Sequence, residues 1–301
     1  MEKKVSVIIP TYNGIDSLEK CLESVLIQNY DNYEVIVVDD NGKGSENQLL
    51  TQKIINKFKN DSRLIYVCHN ININGSAARN TGVKNCSGNY ITFLDDDDVF
   101  LQGRIARQVS LLNSLSLNVG AVYCSHETFL KGEKVGEEHA NLSGKILYEY
   151  MSHKLEIATS AIMIRKEIFD ELNGFDETFA RHQDWEFISR LLSRYEIKGD
   201  DFYGFKRNLM FRNSRTPPIV IKQRREYYLD KMKPILSNLP SFKSNEIIIC
   251  EKFDIALAFL KSHDVYGFFK ELWAIGMNKI LFKLLTSTLK SAIKRRGRYI
   301  H

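Results

Sequence analysis

Four consecutive aspartates, Asp95 to Asp98, close the segment Tyr-Ile-Thr-Phe-Leu-Asp-Asp-Asp-Asp-Val-Phe that begins at Tyr90. Ile91, Phe93 and Leu94 are the apolar, β-favouring residues of an interior parallel strand, so the carboxylates fall at its carboxyl end. In open α/β sheets that is the end where ligands bind. Adjacent carboxylates at a surface site repel by several tenths of a kcal/mol or more per close pair at about the effective dielectric of such a site. A turn alone spends one Asp or Asn there, not four. The cluster therefore asks for positive charge, and a hard divalent cation with oxygen ligands meets that need. The bland alternative is a solvated acidic turn that merely ends a strand.

The elements that would position these carboxylates are legible in the first hundred residues. Val5 to Ile9 is a short apolar run closed by Pro10, which reads as a first buried strand. Leu18, Cys21, Leu22, Val25 and Leu26 recur at helical spacing, with Asp16 and Glu19 placed to cap the start. A second strand over Tyr33 to Val38 ends in Asp39-Asp40, Leu49 to Phe58 gives a second helix, and Leu64 to Val67 a third strand. Gly75 to Val83 opens a third helix before the strand that leads into Asp95. Strand and helix alternate at crossover lengths, which predicts an α/β fold with a mostly parallel sheet flanked by helices. Further on, the pattern predicts helices over Ile105–Leu115, Lys166–Leu172 and Asp184–Leu192, and strands over Val119–Ser125 and Ile157–Ile164. Beyond Pro217-Pro218 the chain is helical in character and carries no catalytic cluster, so a boundary is placed there. Residues 1–216 then form one domain, with 1–98 as its ligand-binding half and 99–216 as the second half, and residues 217–301 form an α-helical C-terminal region.

Composition narrows the function classes. The five cysteines are scattered and odd in number, without a Cys-x-x-Cys pair, which points to reduced thiols, a cytoplasmic chain and no zinc site. No apolar leader opens the chain, and no run of about 18 uncharged apolar residues occurs, so a spanning helix is not expected. The net charge of +5 is uneven: Leu272 to His301 holds seven basic residues and no acid, which leaves the remainder slightly acidic. The turn after the first strand, Pro10-Thr-Tyr-Asn-Gly14, has a single glycine, so the Gly-x-Gly-x-x-Gly cradle of a dinucleotide-binding domain is missing. A P-loop is missing too. A sugar-nucleotide pyrophosphorylase would share the sheet topology but needs a glycine-rich loop at that same turn. Nucleic-acid binding through the basic end is the alternative of another class, and the segment lacks aromatic interleaving over most of its length and any nucleic-acid motif.

Several ordered motifs carry a resemblance. They are Val-Ser-Val-Ile-Ile-Pro-Thr-Tyr-Asn from Val5, Val-Val-Asp-Asp from Val37, Ala-Arg-Asn-Thr-Gly from Ala78, Phe-Leu-Asp-Asp-Asp-Asp from Phe93, and Gly-Phe-Asp-Glu from Gly174 leading to Asp-Trp-Glu at Asp184. Over roughly residues 4 to 215 the chain resembles the family-two glycosyltransferases, whose nucleotide-diphospho-sugar-binding fold is called GT-A. The resemblance implies transfer of a sugar from a UDP-sugar donor to a saccharide acceptor, with inversion and with Mn²⁺ or Mg²⁺. It implies that Pro10, Thr11, Tyr12 and Asn13 meet the base, that Asp40 accepts a hydrogen bond from the uracil ring, and that Asp39 is structural. Arg79 would lie near the diphosphate, Asp96 would take the ribose hydroxyls and Asp97 the metal, with Asp95 and Asp98 supporting them. Asp184 matches the family's catalytic base, and His182 is a rival for that role.

The sequence departs from the family in three places. Gln183 precedes Asp184 where an acid is usual, the Asp40-Asn-Gly-Lys-Gly-Ser45 loop is longer than usual, and the stretch after Leu209 lacks a histidine that would help hold metal or diphosphate. Arg212 or Arg215 would serve the phosphates instead. In the tail, Leu281, Leu284, Leu285, Leu289 and Ile293 fall on one helical face beside Lys283, Lys290, Lys294, Arg295, Arg296 and Arg298. That pattern fits peripheral association with the inner face of an anionic membrane, and with it a lipid-linked acceptor of capsule, lipopolysaccharide or other surface-glycan assembly.

Overall fold

The structure is a computed structural model that describes residues 3–179, 181–209, 216–276 and 278–297, the last stretch with side chains as far as residue 288. Arg212, Arg215 and Arg298 lie outside the described residues, as do the side chains of Leu289, Lys290, Ile293, Lys294, Arg295 and Arg296. The chain divides into two compact units, one made of 1–147 and 156–211, the other of 148–155 and 212–301. Residues 148–155, expected within the second half of the large domain, thus belong with the C-terminal helices.

In the first unit β1 (Val5–Thr11), α1 (Leu18–Leu26), β2 (Tyr33–Asp39), α2 (Glu46–Lys57), β3 (Leu64–Cys68), α3 (Gly75–Lys84) and β4 (Tyr90–Phe93) alternate as the periodicity predicts. They are followed by β5 (Val99–Phe100), α4 (Arg104–Ser114), β6 (Val119–Leu130), β7 (Glu133–Glu138) and β8 (Ser143–Gly144), then by α5 (Leu147–Met151), which after its first residue belongs to the second unit, and by β9 (Ile162–Arg165), α6 (Lys166–Glu171), α7 (Gln183–Arg194) and β10 (Glu196–Leu209). One sheet joins them in the order β3-β2-β1-β4-β9-β6-β10-β5, with β7 on β6 and β8 on β10. Among the described strands β3, β2, β1, β4, β6 and β10 point one way, while β9, β5, β7 and β8 oppose them. The expected mostly parallel, helix-flanked sheet is what forms.

Burial explains the central strands. Val35, Ile36, Val37 and Val38 are all fully buried, as an interior strand covered on both faces must be. Gly82 lets α3 lie close on β1, since a Cβ there would stand 2.4 Å from Ile8 Cγ2. One charge is accommodated at the opposite end of the sheet: Glu34, buried in β2, accepts from Lys4 Nζ at 2.7 Å, Ser6 Oγ at 2.6 Å and the Ser87 amide at 2.6 Å.

Three local expectations change. Neither Asp16 nor Glu19 caps α1: Ser17 is the N-cap, and Leu18 N donates to Gly14 O at 3.0 Å while Glu19 pairs with Lys57 at 2.6 Å. The strand expected over Ile157–Ile164 shortens to β9, because Thr159–Ala161 wind a 3-10 turn. β10 has no counterpart among the expectations. Its fourteen residues hold two glycines and five charged side chains before Arg207, and its register against β6 slips between Asp200 and Tyr203 and between Tyr203 and Phe205. Such irregularity erases the two-residue alternation that marks a strand, and only pairing with β6 restores it.

The second unit holds α8 (Pro218–Ser237), α9 (Ser241–Lys261), α10 (Val265–Ile275) and α11 (Lys279–Gly297). Its interior contains an ionic cluster: Glu251, 1% exposed, accepts from Arg225 at 2.6 Å and pairs with His153 Nε2 at 2.7 Å, and Asp254 meets both partners at 3.1 Å. Leu281, the first residue of the tail stripe, is 2% exposed and so lies in the protein's own interior.

Candidate active site

β1, β2, β3 and β4 all end on the same edge, and the carboxylates of Asp95 to Asp98 are delivered there by β4. Asp96 turns back to the end of β1, where its Oδ2 accepts from Thr11 Oγ1 at 2.6 Å and from the Tyr12 amide at 3.3 Å. Gly14 has to be glycine for this reason: a Cβ would sit 1.8 Å from Asp96 Oδ2. Tyr12 projects outward with 55% of its surface exposed, and Pro10 and Thr11 are the last residues of β1. Asn13 adopts a left-handed backbone, φ 59°, a conformation that asparagine tolerates. Its amide donates to Asn41 Oδ1 at 2.9 Å, and its own Oδ1 accepts from Asn47 at 2.5 Å.

Asp39, the last residue of β2, and Asp40, which follows it, are held differently. Asp39 is fully buried, with Tyr66 OH on Oδ2 at 2.7 Å and Asn41 on Oδ1, through its amide at 2.9 Å and Nδ2 at 2.8 Å. Asp40, 3% exposed, meets His69 Nδ1 at 2.7 Å and the Ile73 amide at 2.9 Å on Oδ1, and Asn72 Nδ2 at 2.8 Å on Oδ2. His69 in turn reaches Thr81 Oγ1 through Nε2 at 2.9 Å. Three groups of the loop between β3 and α3 thus fix the Asp40 carboxylate. Ile71 and Ile73 on the same loop are 70% and 49% exposed, an apolar rim beside it.

Arg79 lies one turn into α3 and is 6% exposed. Its Nη2 donates to Asp95 Oδ1 at 2.5 Å and its Nη1 to Gly75 O at 3.3 Å, while Nε is buried without a partner. The guanidinium expected beside a diphosphate thus pairs with Asp95, within the acid turn. A Cβ on Gly75 would come within 3.0 Å of Arg79 Nη1 and 3.1 Å of Gln183 Nε2, so the start of α7 adjoins the start of α3. Asp184 follows Gln183 and feels the charges of both Arg79 and Asp95. His182 is the N-cap residue of α7, held at φ 63° with its ring stacked 4.3 Å from that of Trp185.

Two motifs separated by nearly a hundred residues meet to place α7. Asn80 Nδ2 donates to Phe175 O and Asn80 Oδ1 accepts from Phe175 N, each at 2.9 Å, and Gly174 at φ 64° leaves the room that Asn80 needs. Arg190 then ties α7 to the same loop through the Gly174 carbonyl at 2.7 Å.

Electrostatics follow from this crowding. Burial pushes Asp96 up to about 7, with the charges of Asp97 and Asp95 acting the same way against the hydrogen bonds of Thr11 and Tyr12. Burial likewise holds Asp98 well above the usual carboxylate range, assisted by Asp95 and Asp97 and opposed by hydrogen bonds from Ser160 and Asn208. Asp184 is raised by burial, which outweighs the attraction of Arg79 and the backbone amides. Among the described residues no group of three or more His, Cys, Asp or Glu forms a metal cage. An oxygen-only turn in which Asp96 and Asp98 are pushed towards protonation fits a cation that takes one or two carboxylates and fills its remaining positions from substrate phosphate and water.

Ser160 and Asn208 are site residues that sequence reasoning missed. Ser160 Oγ accepts from the Asp95 amide at 3.1 Å, and Asn208 donates through Nδ2 to Asp97 O at 2.7 Å and through its amide to Asp98 Oδ1 at 3.0 Å. Neither lies in a motif, so a lone sequence gives no signal for them. His69 was findable, because it follows β3 on the edge where ligands bind in such sheets.

Residues 6–172 match the family model described as Glycosyl transferase family 2. The chain belongs to that family. An uncharacterised glycosyltransferase of Rickettsia conorii is 32% identical over 200 residues, covering 66% of this chain and 32% of its own length. The amylovoran biosynthesis glycosyltransferase AmsB of Erwinia amylovora is 30% identical over 196 residues, covering 62% of each. The chain thus spans about a third of the first of these relatives and under two thirds of the other. Among solved structures, S. aureus TarS 1–349 in complex with UDP-GlcNAc superposes with a TM-score of 0.61 at 15% identity, over 88% of this chain and 89% of that one. The mannosyltransferase PcManGT of Pyrobaculum calidifontis, in complex with GDP-Man and Mn²⁺, gives 0.59 at 16% over 99% and 83%. At those identities the likeness establishes the GT-A fold of the family-two enzymes and nothing finer.

Proposed function

We propose that this family-two protein is an inverting, metal-dependent glycosyltransferase that moves a sugar from a UDP-sugar to a saccharide acceptor in cell-surface polysaccharide biosynthesis. The observation that carries the reading is the convergence of Asp96, Asp97 and, through Arg79 and Asp95, Asp184 on the edge where β1 presents Thr11 and Tyr12. The nucleotide sugars held by TarS and PcManGT, the Mn²⁺ of the latter, and the printed role of AmsB in amylovoran biosynthesis support it.

Tyr12, the Ile71–Ile73 rim and Asp40 provide for the base: a face to lie on, apolar cover, and a carboxylate whose Oδ2 keeps a lone pair for a ring N–H beside the bond from Asn72. Asp96 serves the ribose hydroxyls, and Asp97 would hold Mn²⁺ or Mg²⁺. That cation, when bound, neutralises charge on the departing diphosphate. Asp184 acts as general base. As the acceptor oxygen bonds to the anomeric carbon and the carbon–oxygen bond to the diphosphate breaks, the hydroxyl proton passes to the Asp184 carboxylate and UDP leaves. The raised affinity of Asp184 for a proton suits that task, since a base works best with its pKa near the working pH.

Among the described residues no helix is long and apolar enough to cross a membrane. The basic tail favours peripheral association with the inner membrane face and an acceptor carried on a lipid, as in capsule or lipopolysaccharide assembly. A screen of UDP-sugars for metal-dependent donor hydrolysis tests the reading. Hydrolysis of one or more donors is expected, and a protein inert towards every donor while GDP-sugars turn over would overturn the uridine assignment.

A further inference from the structure

The second unit presents an aromatic helix face that nothing in its own interior uses. α10 packs on α9 by one side only. Gly267 makes that contact close, since a Cβ there would stand 2.4 Å from Phe259 Cδ1, and Phe268 beside it is buried. The acid of α10, Glu271, lies on this inner side, 8% exposed and paired with Lys222 Nζ at 2.6 Å. Tyr266, Phe269 and Trp273 follow one another at steps of three and four, which places them together on the opposite side. Their exposures are 80%, 61% and 89%. Each such ring offers roughly 150–250 Å² for burial, so the three form a patch of the size that marks an interaction surface.

Charge decides what kind of surface it meets. Lys270 is exposed on the same side of α10, and Lys279 and Lys283 are exposed in α11 on either side of Phe282, itself 65% exposed. From Leu272 to His301 the chain contains no acidic residue. Cores of protein–protein interfaces are depleted in lysine, whereas tryptophan, tyrosine and lysine together are what the headgroup layer of a bilayer accepts. The leucine stripe is a poorer candidate, because Leu281 is already inside the unit.

We propose that the outward face of α10, made of Tyr266, Phe269 and Trp273 with Lys270 on the same side, docks on an anionic lipid bilayer, with the exposed Lys279 and Lys283 of α11 adding positive charge. This deepens the membrane-side reading given above by naming the surface that makes the contact.

The test is sedimentation of the full chain with vesicles of phosphatidylcholine alone or mixed with phosphatidylglycerol. Wild type should sediment with the mixed vesicles and shift its tryptophan emission to the blue. Tyr266→Ala, Phe269→Ala and Trp273→Ala combined should lower the vesicle-bound to free ratio about tenfold or more, as should Lys270→Gln, Lys279→Gln and Lys283→Gln combined, given the contribution of each basic residue near an anionic surface. A thermal melt of the aromatic variant should match wild type, because its side chains are exposed. Should that variant not fold, quenching of wild-type emission by brominated lipid carries the test instead. Unchanged binding by both variants, absence of quenching, or self-association of wild type that the aromatic variant abolishes would overturn the proposal, the last by assigning the face to a second copy of the chain. Donor hydrolysis on the same samples separates the two readings. Hydrolysis without vesicle binding defeats only the docking surface, and vesicle binding without hydrolysis defeats only the catalytic reading.

Discussion

Asp97 and Asp184 sit about the same edge of the sheet and differ in what their environments ask of them. Asp97 stands in a run of carboxylates whose mutual repulsion a cation would relieve. Asp97→Asn should therefore abolish metal-dependent donor hydrolysis while leaving the thermal melt unchanged, and chelator should silence wild type. Full activity in excess EDTA would contradict the metal assignment. Asp184 is to take a proton, so Asp184→Asn should lower kcat by about 10²-fold or more, as loss of a general base does, with donor affinity nearly unchanged. An equal loss of donor affinity would mark a structural role. The pH profile gives a second check. A base works only when deprotonated, and burial raises Asp184 above the ordinary carboxylate value of 3.8, so kcat should fall on the acid side at a pH above that value.

At the scale of elements, the site depends on contacts that join distant segments. Asn80 links α3 to the Phe175 loop through two bonds at 2.9 Å, both in buried surroundings. Asn80→Ala would leave the Phe175 amide and carbonyl unpaired, and a stability loss of about 1–3 kcal/mol per orphaned group is expected in denaturant melts. In the second unit His153 is held by Asp254 and Glu251: burial disfavours its charge, but the two carboxylates outweigh this and raise it to about 9. A histidine with a raised folded pKa stabilises fully below its unfolded value of about 6.5, and that contribution is lost as pH rises through about 9. The melting temperature of wild type should thus fall over that window more steeply than that of His153→Gln. Parallel slopes would show that the cluster does not hold the unit together.

For the whole molecule, the ordered motifs and the family match agree on a glycosyltransferase fold, and the proposed inverting mechanism makes a stereochemical statement. An α-linked donor should give a β-linked product, read from the anomeric proton coupling in the product's NMR spectrum, and an α-linked product would remove Asp184 from the role of in-line base.

What the sequence determined by itself is local and periodic. The strand–helix alternation of residues 5–94 followed from hydrophobic spacing, because each element there is a run of neighbours whose burial is set by one repeating pattern. The acid turn followed from composition alone. The motifs gave the order of the site residues, and the structure gathers Thr11, Tyr12, Asp95, Asp96 and Arg79 around that turn. The tertiary structure decided the rest. β10 is a strand only because β6 lies beside it, and its Asn208 reaches Asp97 across 111 residues of sequence. Arg79 pairs with Asp95, and in the second unit Tyr266 and Trp273 of α10 are 80% and 89% exposed while Leu281 lies inside. In each case the outcome depends on which distant surface arrives, and local periodicity carries no record of that.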